Sequence, residues 1–189
     1  MDVWRLIRGI LGAAAAMLLM VRQPLPAVAY EESGTGARAD SRYCTLWFES
    51  GIELKKINKK ISTRFVKSYS KIPKGMGPDS ELAAKCDVLF RRAQELLDMY
   101  PAGIHVTVRV VAKQDHIDQM HRSRYGHGVE APGVYVYENN TIYVSAKDLS
   151  ESVLVHEMAH AIIDHFFGVR PPRKVEELLA MYVDEHLRD

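Results

Sequence analysis

Val134-Tyr135-Val136-Tyr137 and Thr141-Ile142-Tyr143-Val144 flank the polar triplet Glu138-Asn139-Asn140, and Val153, Leu154, His156, His160 and Ile163 follow shortly after. The two flanking runs are rich in β-branched and aromatic residues, so they fold back on each other as a hairpin. The period then changes. From Val153 apolar residues recur at helical spacing, Asp148-Leu149-Ser150-Glu151 has the spacing of a capping box, and Gly168 with Pro171-Pro172 ends the run. A hairpin feeding a long helix predicts an α+β domain: a small mixed or antiparallel sheet with the hairpin at its edge and helices packed beneath.

Outward from this stretch the same reading continues in both directions. Residues 175–187 predict a last helix with Leu178, Leu179, Tyr182 and Leu187 as its apolar side. Upstream, 126–133 holds Gly126, Gly128 and Gly133 and reads as a mobile loop able to cover a cleft. Residues 115–121 predict a short helix, and 104–111 alternate as a half-buried strand does. Residues 79–97, capped by Asp79 or Ser80, carry Leu82, Cys86, Leu89, Phe90 and Ala93 on one helical face. The loop 72–78, a helix over 54–66 and a short strand over 43–48 complete the pattern.

The chain has 189 residues, 47% apolar and 26% charged, which fits one globular domain. Its net charge of +1 lacks the basic excess of a phosphate-binding protein, so nucleic acid is not an expected partner. The cluster Lys55, Lys56, Lys59, Lys60, Arg64 and Lys67 reads as the solvated face of a helix. Arg5 and Arg8, the uncharged run 10–21 and Ala27-Val28-Ala29 make residues 1–29 a signal peptide, with 30–42 as a flexible leader and 43–189 as the folded domain. That run falls short of the about 20 residues that span a bilayer, so cleavage and export to a periplasm or the medium are expected, with no stable membrane span left. Retention as an anchor is the alternative. Cys44 and Cys86 leave two readings open, a single bridge or two buried thiols.

The chemistry concentrates at His156-Glu157-Met158-Ala159-His160. Histidines four apart on a helix lie one turn above each other and can grip one metal ion, with the intervening Glu157 beside them to hold a water. A catalytic zinc site takes a third protein ligand and leaves one position open, so a carboxylate or imidazole is required downstream. Asp164, His165, Glu176, Glu177 and Asp184 are the candidates. His165, five residues after His160, is turned away around the helix, whereas Glu176 and Glu177 sit where a returning helix begins. One of these two is the expected ligand. Asp164, four after His160, and Asp184, seven after Glu177, could instead orient a histidine.

Residues 156–182 resemble the gluzincin branch of the zincin metallopeptidases. Glu177-Leu178-Leu179-Ala180-Met181-Tyr182 matches the Glu-x-x-Ala-x-Tyr of small proteins of that kind, and the resemblance selects Glu177 as the third ligand. The metzincin continuation is absent, since Ile163 and Phe166 stand at its glycine and last histidine. The resemblance implies one zinc per chain, a peptide or protein substrate lying along 141–145 or its hairpin mate, and Glu157 as general base. Met181 departs from larger members that have an acidic residue there. Tyr182, Tyr137, His127 and His165 are candidate oxyanion donors, while His121, His127, His165 and His186 also read as ordinary surface or satisfied core histidines. A zinc module without turnover, or an exported interaction or assembly domain, is the alternative function.

Overall fold

The computed structural model describes residues 36–66, 72–73 and 75–189. The expected signal peptide, residues 30–35 of the leader and Lys67 lie outside them. Strands β1 (Arg38–Asp40), β2 (Cys44–Phe48), β3 (Val106–Val111), β4 (Gly133–Val136) and β5 (Thr141–Ser145) form one mixed sheet in the order β1-β2-β3-β5-β4. The central pairs β2–β3 and β3–β5 are parallel, and the two outer pairs are antiparallel. Helices α1 (Leu54–Lys60), α2 (Pro78–Leu97), α3 (Gln114–Tyr125), α4 (Glu151–Phe166) and α5 (Arg173–Glu185) complete a single α+β domain. No helix among the described residues is long and apolar enough to cross a membrane.

Alternation divides the sheet between two layers. Leu46, Phe48, Val106, Val108, Val110, Ile142 and Val144 belong to the main core, with Leu82, Leu89 and Phe90 of α2 and Leu154, Met158 and Ile162 of α4. Val136 and Tyr143 belong to a second cluster with Ile117 and Met120 of α3. Within β4, therefore, Tyr135 packs with the main core and Val134 and Val136 with the α3 cluster, as a two-residue period requires. β5 is buried along its whole length, so the hairpin strand exposed at the sheet edge is β4, and 141–145 is interior.

Several boundaries differ from the sequence expectation for local reasons. Residues 38–40, assigned to the leader, form edge strand β1 against β2. The helix expected over 54–66 stops at Lys60, because Ile61 turns extended into the core and the Ser62 N–H donates to Glu151 Oε1 at 2.6 Å. α2 begins at Pro78, whose fixed φ and missing N–H suit a first helical position, rather than after Asp79 or Ser80. α4 is capped by Ser150, whose Oγ accepts from Val153 N–H at 3.2 Å, and Asp148 instead accepts from the Ser145 hydroxyl. The larger correction concerns α5. Its buried residues are Glu176, Ala180 and Val183, and of the expected apolar side Leu179 and Leu187 pack on the core, whereas Leu178 and Tyr182 face outward.

Cys44 and Cys86 are free thiols, both buried between β2 and α2. Burial drives both pKa values up, that of Cys86 to about 12, so each stays protonated at ordinary pH.

Candidate metal centre

α4 lies beneath the edge of the sheet with one face in the core, where Leu154, Val155, Met158, Ala161 and Ile162 are buried. The same helical turn that buries Met158 places His156 and His160 on the flank, their ring centroids 5.0 Å apart. α5 folds back along α4, and its first turn carries two adjacent carboxylates separated by about 100° of helix. Glu176 points inward and receives Arg170 Nε at 2.7 Å. Glu177 points to the histidines, its Oε2 lying 3.7 Å from each Nε2. One atom from each of His156, His160 and Glu177 falls within 4.8 Å of the others.

This donor set fits a zinc ion. Ligands about 2.0–2.1 Å from a tetrahedral ion stand roughly 3.3 Å apart, a few tenths of an ångström inside the 3.7 Å that separates Glu177 from each histidine. The three side chains are all partly exposed, which leaves one side of the set open to a cleft of about 690 Å³. Burial, and next the neighbouring His156, push the His160 pKa down to about 4, so it is a neutral donor at neutral pH, as ligation requires. Glu176 is excluded as a ligand by its ion pair with Arg170.

Glu157 is only 8% exposed, and its Oε2 accepts the Tyr135 N–H at 2.7 Å. Burial raises its pKa to about 7 against the lowering effect of that N–H, with the charge of Glu177 adding to the rise. The carboxylate reaches the edge strand because position 133 has no side chain: a Cβ there would stand 3.0 Å from Val153 Cγ1 and 3.2 Å from Glu157 Cγ. Gly133 is thus part of the mould that holds Glu157.

Of the other residues singled out in the sequence, none joins this centre as a partner of its histidines. Asp164 accepts from the Tyr135 hydroxyl at 3.2 Å and lies 3.7 Å from Arg170. No hydrogen bond or ion pair links it or Asp184 to His156 or His160 among the described residues. Tyr182 stacks outside on His186 at 4.2 Å and does not line the cleft. The His165 ring bonds the Ala161 carbonyl at 2.9 Å and is also absent from the lining. His127 and Tyr137 do line it.

No pattern in the sequence points to Arg170, which links the elements at this end of the molecule. It lies 4.3 Å over the Tyr137 ring and bridges Glu176 of α5 to Asp164 of α4, and Asp164 meets Tyr135 of β4. This network fixes the spacing of the two helices, and hence where Glu177 meets the histidines. The far wall of the cleft holds His121, Tyr125 and His127, the histidine rings 4.9 Å apart. Compared with known proteins, the chain matches no family, no curated protein and no solved structure.

Proposed function

We propose that this protein is an exported zinc peptidase of gluzincin type, hydrolysing peptide bonds in the cleft between β4 and α5. The observation that carries the reading is the convergence of His156, His160 and Glu177 beside a buried Glu157 that is anchored to the edge strand. When bound there, zinc supplies Lewis acidity, polarising a carbonyl and bringing the pKa of a water towards about 7. The remaining work falls to the chain. Glu157, with Oε2 tethered to Tyr135 N–H, takes the proton of the attacking water on its free oxygen and returns it to the leaving amine.

β4 supplies the orienting surface. In an antiparallel pair alternate residues direct their N–H and C=O away from the neighbour, and Tyr135 is such a residue because its N–H goes to Glu157. Its carbonyl and the backbone of Gly133 then face an extended substrate laid along the edge. His121, Tyr125 and His127 form the opposite wall and set which side chains fit. Export rests on the sequence of residues 1–29.

Elemental analysis of zinc per chain, beside digestion of an unbiased peptide library, tests the reading. The expected result is one zinc per chain with cleavage in the parent, zinc without cleavage in Glu157→Gln, and neither in Glu177→Ala. A folded parent that refuses added zinc overturns it. Zinc without cleavage of any peptide leaves the centre and removes the peptidase.

A further inference from the structure

Seven of the eleven large apolar residues exposed among the described ones lie between Phe166 and Tyr182, so the exposed apolar surface is concentrated on α5 and the turn before it. Val175, Leu178, Met181 and Tyr182 share the outer side of α5, opposite Glu176, Ala180 and Val183. Phe166, Phe167 and Val169, the last 86% exposed, extend the patch past the start of the helix. An apolar face on the scale of a whole helix is a surface awaiting a partner.

The charges on this face say which partner. Lys174 and Glu185 are both exposed, and neither has a hydrogen-bond or ion-pair partner among the described residues. At 100° per residue, Lys174, Leu178, Met181 and Glu185 fall within a sector of about 60°. Their spacing along the helix reads the same in reverse, with a cation at one end and an anion at the other, and with Leu178 and Met181 equally far from the midpoint. Two such helices laid antiparallel therefore bring Lys174 to Glu185 of the second copy twice, and Leu178 to Met181 of the second copy twice, as a two-fold axis requires.

We propose that the outer face of α5 binds a second copy of this chain, α5 packing antiparallel against its mate. A helix of 13 residues is about 20 Å long. Its contact, even with Phe166, Phe167 and Val169 at the margins, is at the small end of specific interfaces, so the dimer forms reversibly and depends on concentration. The pairing requires neither zinc nor catalysis. It would nonetheless steady the helix that presents Glu177, which lies a quarter-turn from Leu178.

Sedimentation velocity of the full chain over a wide concentration range tests this. The expected result is a monomer–dimer equilibrium that Leu178→Glu with Met181→Glu shifts to monomer. Lys174→Glu alone, which turns two attractions into two repulsions, weakens the dimer roughly tenfold. Adding Glu185→Lys to it restores the parent's association. These side chains are exposed, and unchanged circular dichroism checks that the variants fold. A parent that stays monomeric throughout overturns the proposal, as does a dimer indifferent to Leu178→Glu with Met181→Glu or a charge reversal that its partner reversal fails to rescue.

Discussion

Around Cys44, Phe90 and Val106 the interior is apolar and even the thiols are held protonated, whereas between β4, α4 and α5 the same core admits Glu157 and Glu176. The difference lies in what each buried carboxylate has been given. Glu176 has the Arg170 guanidinium at 2.7 Å. Glu157 has one backbone N–H and an open cleft, so its desolvation is only partly offset. A stable core tolerates the first arrangement indefinitely. The second is kept where a group must exchange a proton.

The contrast breaks if substitutions in the two regions act alike. Glu157→Gln should lower peptide cleavage by about 10²–10⁴-fold while leaving the melting temperature close to that of the parent, measured by library digestion and calorimetry. Phe90→Ala, in the apolar region, should do the reverse: a loss of about 3–5 kcal/mol in urea unfolding with one zinc still bound per chain at low temperature. The neighbours on α5 sharpen the comparison further. Glu176→Gln leaves Arg170 without its nearest partner and should cost about 1–3 kcal/mol, since that arginine is partly solvated. Zinc is retained with an affinity about tenfold lower, as for loss of an outer partner. Tyr135→Phe removes only the hydroxyl contacts to Asn140 and Asp164, and a loss of about 1 kcal/mol is expected. Its backbone hold on Glu157 persists, so cleavage should change little.

The hairpin, α4 and the pair His156 and His160 were legible in the sequence because each depends on local period alone. The sheet edge was not, since β1 is the short polar run Arg38–Asp40 and is a strand only through pairing with β2. Of the apolar side expected for α5, Leu179 and Leu187 pack on the core, while Leu178 and Tyr182 face outward for a physical reason. Leu178 and Tyr182 are the more hydrophobic residues, yet Glu176 occupies the core side because Arg170 neutralises it from the preceding turn. With Glu176, Ala180 and Val183 on the core side, Glu177 faces the histidines and Tyr182 points away from them. Periodicity could not reveal this, and only the matching Glu-x-x-Ala-x-Tyr pattern selected the carboxylate that faces the histidines. Asp164 and Asp184 failed as histidine partners for a related reason: helical spacing gives a side, while the neighbour met on that side belongs to the tertiary fold. Arg170 carried no period, charge run or motif that could have singled it out, and Gly133, expected at the end of a mobile loop, instead begins β4 against Glu157.

The order of the strands also has a kinetic consequence. β4, β5, α4 and α5 are consecutive in the chain and contact one another, while β2 must find β3 across roughly sixty residues of intervening chain. Closure of the short loops is entropically cheaper, so the segment bearing His156, His160 and Glu177 should gain structure before the N-terminal strands dock. Pulse-labelled amide exchange during refolding should then protect the β4–β5 ladder ahead of β1–β2. Simultaneous protection would mean that the parallel centre of the sheet nucleates the whole domain at once.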